Sequence, residues 1–133
     1  LLECPHLDIQ SLAGLEQFTE LRVLNLKNNQ LQSVSELQSL NKLAWLDISH
    51  NQLQDASALN NLTQLSSLQA SHNQLNSLNT LQLPKLSKLY ISDNQLSSLD
   101  FIRSLPALKH LTADNNPSSM PGSMPGTLET FRI

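Results

Sequence analysis

"LRVLNLKNNQLQSVSELQSLNK" occupies residues 21–42 and "LAWLDISHNQLQDASALNNLTQ" occupies 43–64; superimposed, they place apolar residues at the same seven positions. The register continues. "NNQL" at 28–31 returns as "HNQL" at 50–53 and 72–75 and as "DNQL" at 93–96, with starts separated by 22, 22 and 21 residues. A fixed period of this length is the mark of stacked repeats. Within one period Leu24 and Leu26 alternate with outward neighbours, the pattern of a half-buried strand. Leu31, Val34, Leu37 and Leu40 then recur at every third residue, which suits a tight helical or 3₁₀ return rather than a second strand. Each coil therefore reads as strand, turn and return. A unit this small cannot bury its own leucine face, so coils must stack and a parallel sheet grows along one side.

Asn29, Asn51, Asn73, Asn94 and Asn116 each fall three residues after the last inward apolar residue of a strand, where the chain leaves the sheet. An amide offers donors and an acceptor together, so a buried Asn can satisfy main-chain groups that the turn leaves unpaired in its own coil and the next. Stacked, these side chains are expected to form a ladder.

The frames predict a single domain over 1–133: a partial coil at 1–20, repeats at 21–42, 43–64, 65–85, 86–107 and 108–127, and a partial coil at 128–133. The chain has no initiator Met and opens inside a repeat, so it is expected to be an excised part of a longer protein. Neither end carries a polar cap, and self-association through the ends is the corresponding expectation.

Composition agrees with an aliphatic solenoid: 39% of residues are hydrophobic but only 4% aromatic. A formal net charge of −3 leaves no electrostatic footprint for nucleic acid or anionic lipid. Cys4 is the sole cysteine, which excludes an intramolecular disulfide. It matches the inward position of Leu26 and reads as a small apolar strand residue. No apolar run approaches the ~18 residues of a membrane-spanning helix.

The pattern L-x-x-L-x-L-x-x-N-x-L, followed by apolar residues at steps of three, resembles the leucine-rich repeats over roughly residues 9–133. The 22-residue form is similar to the class shared by bacterial internalins and a nuclear regulatory subunit of a protein phosphatase. The resemblance implies a right-handed α/β horseshoe with a parallel sheet on the concave face and short helical, 3₁₀ or extended returns on the convex face. It also implies a non-catalytic, cofactor-free module that binds a protein or peptide. Two frames depart from the pattern. The third is one residue short between Leu81 and Leu83, so its return should be rearranged. In the fifth, Met120-Pro121 and Met124-Pro125 predict an extended return, and this 20-residue frame resembles the repeats of secreted bacterial effectors. The resemblance tilts the origin towards bacteria without indicating a compartment.

If Leu24 and Leu26 point inward, the alternate residues form exposed columns on the concave face, ~4.8 Å apart from strand to strand. One column runs Val23, Trp45, Ser67, Lys88, His110; the next runs Asn25, Asp47, Gln69, Tyr90, Thr112. Trp45 stands where the fold asks only for something polar, with Tyr90 two strands away, and exposed aromatic residues on a rigid sheet favour protein ligands. The alternative is that Trp45 lies flat as local cover over Val23. The expected binding face therefore centres on Trp45 and Tyr90, with Asp47, Gln69 and Lys88 around them and Val23, Asn25, Ser67 and His110 flanking. Its charges read as mixed: Arg22, Lys27, Lys88 and Lys109 against Asp47, Asp93 and Asp114.

The position before each ladder Asn holds Asn28, His50, His72, Asp93 and Asn115. His50, His72 and Asp93 are the right ligand types for zinc or another first-row metal. The competing reading, a solvated polar column suited to a turn, is preferred. Ser49 beside His50 and Ser71 beside His72 suggest a nucleophile and its base, but strand neighbours point to opposite sides and no oxyanion cradle is visible. The favoured function is thus a protein-interaction module acting through its concave face. The alternatives are a metal protein or enzyme using the His-His-Asp column, or a structural spacer in a multidomain chain.

Overall fold

A computed structural model describes residues 1–133. Seven short strands lie side by side in sequence order in one open sheet: β1 (Leu2–Glu3), β2 (Val23–Asn25), β3 (Trp45–Asp47), β4 (Ser67–Gln69), β5 (Lys88–Tyr90), β6 (His110–Thr112) and β7 (Thr130–Arg132). Every pair is parallel and in strict register, Leu24 opposite Leu46 and Leu46 opposite Leu68. Each crossover returns to the same sheet, with the right-handed sense that twisted parallel strands impose.

The returns show why apolar residues recur in threes. The N–H of Leu37 donates to Val34 C=O at 3.0 Å, Leu40 to Leu37 at 2.9 Å, and Leu43 to Leu40 at 3.1 Å. Each apolar residue is both packed inward and bonded to the previous one, as an i→i+3 turn requires. The same series runs from Ala56 to Leu65 and from Leu99 to Leu108. In the third return Leu81 bonds Leu78 and Leu86 bonds Leu83, but the missing residue breaks the link between them, and no 3₁₀ helix forms there. The fifth return also has none: the proline-interrupted stretch from Asn116 contains no 3₁₀ helix and closes on a single turn, with the Leu128 N–H on Pro125 C=O at 3.2 Å.

One continuous aliphatic core runs from Leu12 to Ala113. The asparagine ladder seals the edge where the chain leaves the sheet. Asn51 Oδ1 accepts the Leu31 N–H at 2.9 Å, while its Nδ2 donates to Leu26 C=O at 3.0 Å and Ile48 C=O at 3.1 Å. Asn73 and Asn94 repeat this geometry. The direction differs from the expectation: each amide ties its own coil to the preceding one, not to the next. The turn aims the side chain back towards the carbonyl that the preceding strand leaves unpaired.

Candidate functional site

The candidate site is the solvent face of the sheet, and strand register positions every side chain on it. Val23, Trp45, Ser67, Lys88 and His110 are mutual register partners in β2 to β6, as are Asn25, Asp47, Gln69, Tyr90 and Thr112. The residues between them, Leu24, Leu46, Leu68, Leu89 and Leu111, are buried. All nine side chains expected on this face therefore share it. Trp45 and Tyr90 are half-buried and Lys88 is exposed.

Two of the nine are not open to solvent as the alternation suggests. Asp47 is only 5% exposed, and its Oδ1 accepts the Ser49 N–H at 2.9 Å. Ser67 is 8% exposed, since its short side chain lies between the larger Trp45 and Lys88 on the adjoining strands.

At the C-terminal side of the face the polar groups are tied to one another. Arg132 Nε donates to Asp114 Oδ2 at 2.7 Å, and Ser92 Oγ donates to the same oxygen at 3.0 Å. The Arg132 hydrogen bond holds the Asp114 carboxyl below the usual carboxylate range. Lys109 pairs with Glu129 at 3.3 Å, and His110 Nδ1 lies 2.8 Å from Thr130 Oγ1. This network was missed in the sequence because β7 supplies it from the last residues of the chain.

The column before the ladder has a backbone explanation. His6, Asn28, His50, His72, Asp93 and Asn115 all have φ between 54° and 58°, as does Asp8. Asn, Asp and His are the non-glycine residues most tolerant of this left-handed region. The restriction to those three types was the available signal, and it reports a turn geometry. The imidazoles of His50 and His72 stack, with centroids 4.1 Å apart and planes 16° from parallel. His72 Nε2 lies 3.3 Å from Asp93 Oδ2, whose other oxygen accepts from Asn115 Nδ2 at 2.9 Å. Stacked rings present their faces to one another, and no three His, Cys, Asp or Glu side chains are grouped closely enough to hold an ion. Ser49 is buried while His50 is exposed, so the two do not form a nucleophile–base pair. Cys4 packs against the core, with its N–H donating to Asn25 C=O at 2.8 Å.

Burial first, then repulsion from His72 and Lys27, lowers the His50 pKa below its ordinary value. A histidine whose folded pKa is lowered contributes stability above its unfolded value, about 6.5, and loses it as pH falls through the folded value. His50→Asn keeps a residue that accepts positive φ, so it is expected to leave the neutral-pH Tm unchanged and to reduce the loss of Tm on acidification below about pH 6.5. An unchanged pH dependence of Tm would remove His50 from the acid response. His50→Ala is a poorer probe, since left-handed backbone costs a residue with a plain Cβ about 1 kcal/mol.

Comparison with known proteins agrees with this geometry. A leucine rich repeat family model matches residues 7–53, and a model of leucine rich repeats in two copies matches residues 84–121. No curated protein sequence gives a significant match. Among solved structures, an internalin, InlF, from Listeria monocytogenes superposes with a TM-score of 0.87 at 27% identity, covering 93% of this chain and 38% of that one. The functional domain of InlJ from Listeria monocytogenes, which includes a cysteine ladder, gives 0.80 at 22% identity over 99% of this chain and 34% of its own. Internalin C2 from the same species gives 0.63 at 22% identity, covering 97% of this chain and 77% of that one. The chain spans little more than a third of InlF and of InlJ. Folds of this kind are in general non-catalytic protein-interaction scaffolds. With its repeat, its ladder and two family matches that together span well over half of it, the chain belongs to the leucine-rich repeat family.

Proposed function

We propose that this chain is a protein-interaction module that takes a protein or peptide segment on its concave face, centred on Trp45 and Tyr90. The observation that carries the reading is Trp45. It is a half-buried indole on a sheet face where the repeat requires only a polar residue, beside the small side chain of Ser67 on the next strand. The sheet beneath is held by the leucine core and by the ladder, so little conformational entropy is lost when a ligand docks. Large aromatic groups with a polar surround are the usual centres of binding energy.

Peptides selected from a random phage-displayed library on the immobilised chain test this reading. Trp45→Ala is expected to weaken binding of the selected peptides by ~2 kcal/mol or more. Glu36→Ala, in a 3₁₀ turn on the convex side, is expected to leave it unchanged. Trp45 is the only tryptophan, so its emission should shift to the blue as a ligand covers it. Binding lost with Glu36→Ala and retained with Trp45→Ala places the interface on the opposite face and refutes the proposal.

A further inference from the structure

The open end of the first coil differs from the coils that follow it. Leu7 stands in the ladder register, 22 residues before Asn29, where each of the next five coils carries an asparagine. A ladder amide ties its own coil to the preceding one, as Asn51 does through Leu26 C=O and the Leu31 N–H. Leu7 has no such group, so this end is not made to receive a further coil of the same repeat. It is apolar instead. Phe18 is 58% exposed although its register counterparts Leu40 and Leu62 are fully buried, and Leu7 is 61% exposed. Phe18 lines an opening of about 450 Å³ together with Leu2, Cys4, Ile9, Leu15 and the core residue Leu26.

The charge around this opening has one sign. Residues 1–20 hold four of the eleven acids, Glu3, Asp8, Glu16 and Glu20, and none of the eight Lys and Arg; the rest of the chain has eight bases against seven acids. Glu3 lies between Leu2 and Cys4 on β1, Asp8 directly before Ile9, and Glu16 directly after Leu15. Sheet, turn and return thus each bring one carboxylate beside the lining. Glu3 accepts from Asn25 Nδ2 at 2.8 Å, Asp8 from Gln30 Nε2 at 3.2 Å, and Glu16 from the Gly14 N–H at 2.8 Å. These donors are neutral, and none of the three acids takes part in an ion pair, so their charge stands. Glu20 alone is compensated, by Lys42 at 2.7 Å. The Leu1 amino group offsets one charge of the remaining three.

We propose that this end is a second docking surface, separate from the concave face, and that its occupant is a basic segment of another protein. Aliphatic or aromatic side chains of that segment fill the opening, and Lys or Arg beside them meet Glu3, Asp8 and Glu16. An exposed apolar patch with a polar rim marks an interaction site, and the end of a solenoid is stable only when its outer face is covered. The rim selects among occupants. An acidic segment is repelled, and so is the same end of a second copy, which carries the same carboxylates. A basic segment is drawn in from solution by the same field.

Peptides selected on the immobilised chain provide the test when they are sorted by their response to Trp45→Ala. Those that depend on Trp45 belong to the concave face; those that do not report on this end. Glu3→Gln, Asp8→Asn and Glu16→Gln together remove the charge but keep an acceptor at each position, and Asn suits the positive φ at residue 8, so the Tm of the triple variant is expected to be unchanged. The expected result is a Trp45-independent class rich in Lys and Arg next to aliphatic or aromatic residues. Its affinity should fall ~tenfold or more in the triple variant, with Phe18→Ser, and with salt raised to about 0.5 M. A Trp45-independent class that is neutral or acidic overturns the proposal, as does the absence of any such class. Basic peptides that respond to the triple variant but not to Phe18→Ser also overturn it, since they would report charge without the apolar opening. Sedimentation of the chain as a dimer that Phe18→Ser dissociates would make a second copy the occupant and overturn the basic-segment reading. None of these outcomes bears on the Trp45-dependent peptides.

Discussion

Asn73→Leu is expected to lower stability by about 3–5 kcal/mol. Asn73 is 8% exposed at the middle of the ladder, where its Oδ1 accepts the Leu53 N–H at 3.0 Å and its Nδ2 serves Ile48 C=O and Ala70 C=O at 3.0 and 3.2 Å. Leucine fills a similar volume but satisfies none of these groups, and each buried unpaired backbone group costs about 1–3 kcal/mol. Chemical denaturation of both proteins measures the difference. Asn116 makes equivalent bonds to Leu96, Ile91 and Ala113 from a half-exposed position, so Asn116→Leu should cost about half as much, because water can replace part of what is lost. Equal costs at the two positions, or a loss below ~0.5 kcal/mol at Asn73, would show that the ladder does not stabilise the fold by main-chain satisfaction.

Leu68→Ala should cost about 2–5 kcal/mol, the range for deleting a fully enclosed aliphatic side chain. Leu68 is the inward residue of the central strand β4, with Leu46 and Leu89 opposite it on either side. Each coil of a solenoid is stabilised through its two neighbours, so a cavity at this position weakens two interfaces at once. Phe131→Ala removes a larger side chain, but from β7, which has one neighbouring strand and is only partly buried; its cost should be smaller. Hydrogen exchange adds a distinguishing readout. With Leu68→Ala, protection should fall in β3, β4 and β5 together, whereas Phe131→Ala should affect only β6 and β7. Uniform loss across the sheet in both variants would indicate all-or-none coupling rather than nearest-neighbour stacking.

Much of the architecture was legible in the residues, for a reason particular to repeats. The alternation of Leu24 and Leu26 and the invariant offset to Asn29 are written five times in register, and the threefold spacing from Leu31 to Leu40 returns unbroken in the second and fourth frames. A periodic pattern leaves few stackings that bury all its leucines. The single deletion between Leu81 and Leu83 could even be placed on the returns and not the sheet, since strand spacing on either side of it was undisturbed. The outline of the concave face followed from the same register, because alternation alone decides to which side of a strand a residue points.

What alternation does not decide is how far a side chain on that side is covered, and there the tertiary structure prevailed. Exposure of Ser67 depends on Trp45 and Lys88, which lie 22 and 21 residues away along the chain and one strand away in space. The bond from the Ser49 N–H to Asp47 is by contrast local, an Asx turn that Asn25 repeats with the Lys27 N–H. The direction of the Asn ladder and the pairing of Asp114 with Arg132 are likewise set between coils. The sequence by itself determined the period, the strand register and which residues share a face, because these are properties of one coil repeated. Only the stacked structure decided how far each side chain on that face is covered and which of them bond to one another, because packing and pairing are set between coils.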